Sequence, residues 1–61
     1  MNPESMALSP AQVAEALGIS QVTVRRLIRD HELQSFTIGR SRRVPAAELR
    51  EFMARRLSVP A

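Results

Sequence analysis

The sequence predicts a small α+β domain that is mainly α: two helices joined by a tight turn, a short two-stranded wing and a third helix. Three observations predict it. Residues 8–30 hold two short helical patterns that meet at one glycine, Gly18. Two short β-type runs, Phe36-Thr37-Ile38 and Arg42-Arg43-Val44, flank a turn at Gly39-Arg40-Ser41. A helical apolar period then returns from Pro45 to Leu57. Together these make a winged helix-turn-helix over residues 8–57, with a flexible tail expected at 1–7 and a short tail at 58–61.

The first helix has a strong start. Ser9 is a cap, Pro10 fits the first helical position, and Gln12 completes a capping box. Leu8 and Val13 stand at the two positions of a hydrophobic staple. Val13, Ala14 and Leu17 share one face, and the helix ends near Leu17. Gly18 suits the left-handed residue that stops a helix and turns the chain. Ile19 returns to the core and Ser20 caps the second helix, which runs from Gln21 to Asp30 or His31.

At about 100° per residue the second helix separates into two faces. Val24, Leu27 and Ile28 form the core stripe. Arg25, Arg29, Val22 and Arg26 fall on the opposite side. Three arginines around one aliphatic residue suit a surface that lies in a groove better than one that only meets water.

The hairpin that follows has strands too short to stand alone. We expect a three-residue loop, with Leu33, Phe36, Ile38 and Val44 packing on the helices and both phenylalanines buried. Arg40 and Arg42 face a ligand. Arg43 has the opposite strand parity to Arg42 and either joins them or pairs with a carboxylate such as Glu48. In the third helix, Leu49, Phe52, Met53 and Leu57 make one apolar stripe. Glu48 suits the first turn, and Arg55 and Arg56 suit the last.

Composition narrows the function. The chain has 61 residues, no cysteine, one histidine and a net charge of +3. Disulfides, thiolate sites and cysteine nucleophiles are excluded, and a lone His31 cannot build an imidazole metal site. No catalytic set is visible: Glu48 and Glu51 read as solvated, and Ser20 and His31 lie at opposite ends of one helix. We expect no enzyme activity, no metal, no cofactor and no small-molecule ligand. No apolar run spans a bilayer and no leader is apparent, so a cytoplasmic protein without membrane contact is expected.

The charge is unevenly placed. Residues 1–24 carry −2, residues 25–43 carry +4, and residues 44–61 carry +1. All nine basic residues are arginine, whose planar fork suits phosphate and guanine; a GC-rich genome also favours arginine codons. One basic stretch covering a helix and a hairpin points to nucleic acid. Without tyrosine or tryptophan, stacking on single strands is disfavoured and duplex DNA is the expected target. The expected contacts from the second helix are Ser20, Gln21, Val22, Thr23, Arg25, Arg26 and Arg29. Those from the wing are Arg40, Ser41, Arg42 and Arg43. Gln21 suits adenine, Arg25 or Arg26 suits guanine, Val22 suits a thymine methyl, and Arg29 suits phosphate. Arg40 and Arg42 suit a narrow minor groove or its flanking phosphates. An ordinary helical hairpin shares the Ala14–Gly18 turn, but the outward arginines and the basic wing favour DNA.

The segment Leu-Ser-Pro-Ala-Gln-Val-Ala-Glu-Ala-Leu-Gly-Ile-Ser-Gln-Val-Thr-Val-Arg-Arg-Leu-Ile, followed by Thr-Ile-Gly-Arg-Ser-Arg-Arg-Val-Pro-Ala-Ala-Glu-Leu-Arg-Glu-Phe, resembles the excisionase-like branch of the MerR-type winged-helix superfamily. The resemblance covers about residues 8–57. It implies a recombination directionality factor of a temperate phage or integrative element in a bacterial host cell. Such a factor binds repeated attachment-site DNA, bends it, binds neighbouring sites cooperatively with other copies of itself, and contacts a tyrosine integrase to favour excision. The dimerisation helix and sensing domain of MerR-type activators are not expected here. A minimal phage or plasmid transcriptional regulator using the same surface is the alternative. An adaptor whose basic face docks an acidic protein is a third reading.

Overall fold

A computed structural model describes residues 6–58. The element order is β1 (Ala7–Leu8), α1 (Pro10–Leu17), α2 (Gln21–Arg29), β2 (Phe36–Ile38), β3 (Ser41–Pro45) and α3 (Ala46–Ser58). The helices and the wing stand close to where the sequence places them, but Pro45 ends β3 instead of opening α3, and Ser58, expected in the tail, closes α3. The wing, however, is part of a three-stranded antiparallel sheet of order β1-β3-β2.

The additional strand corrects the reading of the N-terminal segment. Ala7, expected in a tail, pairs with Pro45, and Leu8 pairs with Val44. The Ala46 N–H also donates to the Met6 carbonyl at 2.8 Å. Two residues carry too little alternation to read as a strand; β3 supplies the partner backbone. The tail expectations for residues 1–5 and 59–61 lie outside the described residues.

The capping chemistry is as the residue types require. Ser9 Oγ accepts the Gln12 N–H at 3.2 Å, and Gln12 Oε1 accepts the Ser9 N–H at 2.8 Å. Gly18, at φ 69°, closes α1: its N–H reaches the Glu15 carbonyl, and the Ile19 N–H reaches the Ala14 carbonyl at 3.0 Å. This is the Schellman pattern. The end of α2 repeats it. The His31 N–H reaches the Ile28 carbonyl and the Glu32 N–H reaches the Leu27 carbonyl, with His31 itself at φ 61°. A histidine therefore holds the left-handed position that glycine holds in α1.

The core is Val13, Ala14, Val24, Leu27, Leu33, Val44, Leu49 and Phe52, with Leu8, Leu17, Ile19 and Ile28 packed at its edge. Among the described residues no helix is long and apolar enough to cross a membrane.

Four apolar expectations fail for reasons of geometry. Phe36 is 40% exposed and Ile38 66%. Their cross-strand partners are Arg43 and Ser41, the parity opposite to buried Val44, so they lie on the uncovered face of the sheet. Met53 and Leu57 are also exposed. With Leu49 set at 0°, Phe52 stands at about 300° and Glu48 at about 260°, while Met53 and Leu57 stand at about 40° and 80°. The helix buries the Glu48–Phe52 side, so the stripe drawn through Met53 turns away from the body. The hairpin loop is also one residue shorter than expected. Ile38 pairs with Ser41, leaving Gly39 and Arg40 as a two-residue turn. Gly39, at φ 60°, supplies the positive φ that a type II′ turn needs at its first central position.

Candidate nucleic-acid interface

The α2 helix is short, and its placement rests on Ser20. Ser20 Oγ accepts the Thr23 N–H at 3.1 Å and shares a second hydrogen bond with Thr23 Oγ1 at 3.0 Å. Both hydroxyls are thus committed to the cap, and Thr23 is half-buried. Val24 and Leu27 anchor the opposite side in the core. What remains outward is Gln21, Val22, Arg25, Arg26 and Arg29, all exposed.

The wing approaches this face through one parity of its ladder. Arg42 pairs with Thr37 and shares the sheet face of buried Val44, two residues on. Its side chain is thereby directed to the helix side. Arg42 Nη1 donates to Ser35 Oγ at 3.1 Å, which steadies the guanidinium. Arg25, Ile28, Arg29 and Arg42 line one open hollow of about 290 Å³. Arg29 Nε lies 3.5 Å from Asp30 Oδ1, with both side chains well exposed; such a pair contributes little and is readily exchanged for another anion. Arg40 stands at the exposed tip of the turn.

The remaining predicted residues lie elsewhere. Arg26 and Thr23 border a second, larger groove of about 540 Å³, between the helical turn and α3, with Leu17, Ile19, Phe52 and Arg56. Ser41 and Arg43 point to the outer face of the sheet. Arg43 does not pair with Glu48. Its Nη1 donates to the Arg42 carbonyl at 3.0 Å, because Glu48 lies on the far side of the sheet and is already engaged.

The sequence alone does not announce that engagement: it reads Glu48 as solvated, yet its side chain is only 12% exposed. It accepts the Gln34 N–H at 3.0 Å and Arg55 Nη2 at 3.2 Å. Arg56 Nη2 donates to Glu32 Oε1 at 3.1 Å, and the Arg55 and Arg56 guanidinium carbons stand 5.9 and 5.0 Å from the centre of the Phe52 ring. The readable signal was the Glu48, Phe52, Arg55, Arg56 spacing, which puts all four on one side of a helix. This cluster clamps the linker that joins α2 to the wing. It also holds Glu32 and Glu48 against their own arginines, away from Arg25, Arg29 and Arg42.

The family model described as a helix-turn-helix domain matches residues 7–57. The chain belongs to the helix-turn-helix domain family. The family includes excisionase-like small DNA-binding proteins, and its fold supports sequence-specific DNA binding. Comparisons with curated proteins and with solved structures gave no match. Within the helix-turn-helix domain, α1 and α2 are the two motif helices, and the matched span takes in β1, the hairpin and most of α3 as well. Among the described residues, no group of three or more His, Asp or Glu side chains is placed to hold a metal ion.

Proposed function

We propose that this helix-turn-helix domain binds duplex DNA with α2 in the major groove and the Gly39–Arg40 turn over the adjacent minor groove, and that it serves as an excisionase. The observation that carries the binding mode is the convergence of Arg25 and Arg29 from the helix with Arg42 from the wing around one hollow. Cations from two elements around a single open hollow match a phosphate backbone that runs between two grooves. Arg25, in the second turn of α2, reaches a guanine edge; Arg29, a turn further on, meets phosphate. Gln21 lies nearest the helix start and suits adenine. Arg40 enters the minor groove, where a narrow A·T-rich segment concentrates negative potential. Arg26 contributes from the flank, and Ser20 and Thr23 act by holding the first turn in place rather than by reading bases.

The recombination role rests on the resemblance to excisionases and on a family that includes excisionase-like proteins. In that role the protein bends attachment-site DNA, binds adjacent repeats cooperatively with other copies, and recruits a tyrosine integrase without catalysing any step itself. The test is an excision reaction reconstituted with the cognate integrase and attachment-site DNA. Excision that depends on the protein, and fails with Arg25→Ala, supports the reading. Duplex binding without any effect on excision overturns it and leaves the minimal transcriptional regulator.

A further inference from the structure

Val22 does not fit its surroundings as a merely solvated residue. It is 79% exposed, in the first turn of α2, beside Gln21 and on the same outward side as Arg25, Arg26 and Arg29. It has no part in the core, which Val24 and Leu27 occupy on the other side. It does not serve helix formation either. A β-branched residue loses side-chain freedom in a helix and is a poorer helix former than alanine.

The same stiffness makes it a good reader. Valine holds one strongly preferred rotamer in a helix, so its two methyl groups present a fixed apolar surface on an otherwise cationic face. A duplex offers few apolar groups in return. In the major groove the base edges present donors, acceptors and one methyl, carried on C5 of thymine. Ile28, the other aliphatic residue near this face, is half-buried in the hollow among Arg25, Arg29 and Arg42, which leaves Val22 as the apolar group that stands clear.

We infer that Val22 is a specificity-determining residue that reads the 5-methyl group of a pyrimidine in the major groove. The ligand class is thymine, or 5-methylcytosine in its place. Binding at that position is therefore sensitive to cytosine methylation. The inference rests on the proposed docking of α2 in the major groove and adds a chemical identity to one subsite.

The test uses the full chain and a duplex selected by the wild-type protein from a randomised pool. Each thymine is replaced singly by deoxyuridine, which deletes only the methyl group. Wild type loses about fourfold in affinity at one thymine of the bound site, the effect of one methyl left in water. Val22→Ala binds the thymine and deoxyuridine duplexes equally, while its salt dependence stays that of wild type because every arginine remains. Its circular dichroism also stays that of wild type, since the side chain touches no core. With a C·G pair at the same position, methylating the cytosine raises wild-type affinity and leaves Val22→Ala unchanged. A selected site without thymine, a silent deoxyuridine scan, or a methyl effect that persists in Val22→Ala overturns the inference while leaving duplex binding intact. Failure of the wild type to select any duplex overturns the docking itself.

Discussion

Replacing His31 by glycine should make the protein more stable. His31 sits at φ 61°, the left-handed position of the motif that closes α2. An L-residue there incurs a steric cost of about 1–2 kcal/mol relative to the right-handed region. Glycine removes that cost but gives back about 0.5–1 kcal/mol through the larger freedom of its unfolded chain. Histidine also tolerates this region better than most residues. The balance is a gain of about 0.5–1 kcal/mol, or about 2–8 °C in Tm for a domain of this size. The chain has no tryptophan or tyrosine, so the assay is thermal unfolding followed by far-ultraviolet circular dichroism. Two companions isolate the cause. His31→Ala keeps the Cβ and the strain, and should show no gain. Gly18→Ala should lose about 1 kcal/mol; its new Cβ would meet no atom within 4 Å, so backbone conformation alone sets the cost. An unchanged Tm in His31→Gly together with an unchanged Tm in Gly18→Ala would refute the reasoning.

Ser20→Ala should cost about 1 kcal/mol of stability through loss of the α2 cap, while Ser20→Asp should retain most of it; equal unfolding midpoints for all three proteins would show that the hydroxyl serves another purpose. Glu48→Ala should cost about 1–2 kcal/mol, since it removes an acceptor shared by the Gln34 N–H and Arg55. Denaturant unfolding monitored by circular dichroism checks it, and a change under half a kcal/mol would mean that the linker is held by other contacts. Arg25→Ala should cost about 1–3 kcal/mol on the preferred duplex and relax preference at one base pair, as read by titrating single-base variants. Arg40→Ala should weaken all duplexes alike and lower the salt slope by about 0.9; a loss confined to one sequence would make Arg40 a base reader instead.

The architecture was legible because its punctuation is chemical. Ser9-Pro10 and Gln12, Gly18, Ser20 and Gly39 each have few alternative uses, and they fix where the helices and the wing begin and end. The core side of α2 was equally plain from the spacing of Val24, Leu27 and Ile28. Residue pairs brought together from distant segments were not legible. Strand β1 exists because β3 lies beside it, and nothing in Ala7-Leu8 announces that partner. Phe36 and Ile38 looked buried by composition, but ladder parity, fixed by the register with Arg43 and Ser41, turns them outward. The α3 stripe was misdirected for a related reason: Glu48 makes a clamp with Arg55 and the linker, so the helix rolls that edge inward and Met53 outward.

The candidate site divides along the same line. That α2 carries Arg25, Arg26 and Arg29 on its outward side follows from helix geometry alone. That Arg26 borders a different groove depends on where α3 packs, and that Arg42 joins Arg25 and Arg29 depends on how the wing is hung from α2. The linker clamped by Glu48, Arg55 and Arg56 sets that angle, and Ser35 fixes where the Arg42 guanidinium stands.

We propose that Arg25, Arg29, Arg40 and Arg42 form one DNA-facing surface. The most direct measurement is the salt dependence of duplex binding by the wild type and by a variant with all four changed to alanine. If each meets a phosphate or a base beside one, the slope of log K against log salt should fall in magnitude by about 3–4, with circular dichroism unchanged. An unchanged slope in a folded variant would contradict the account and place the duplex on another face of the protein.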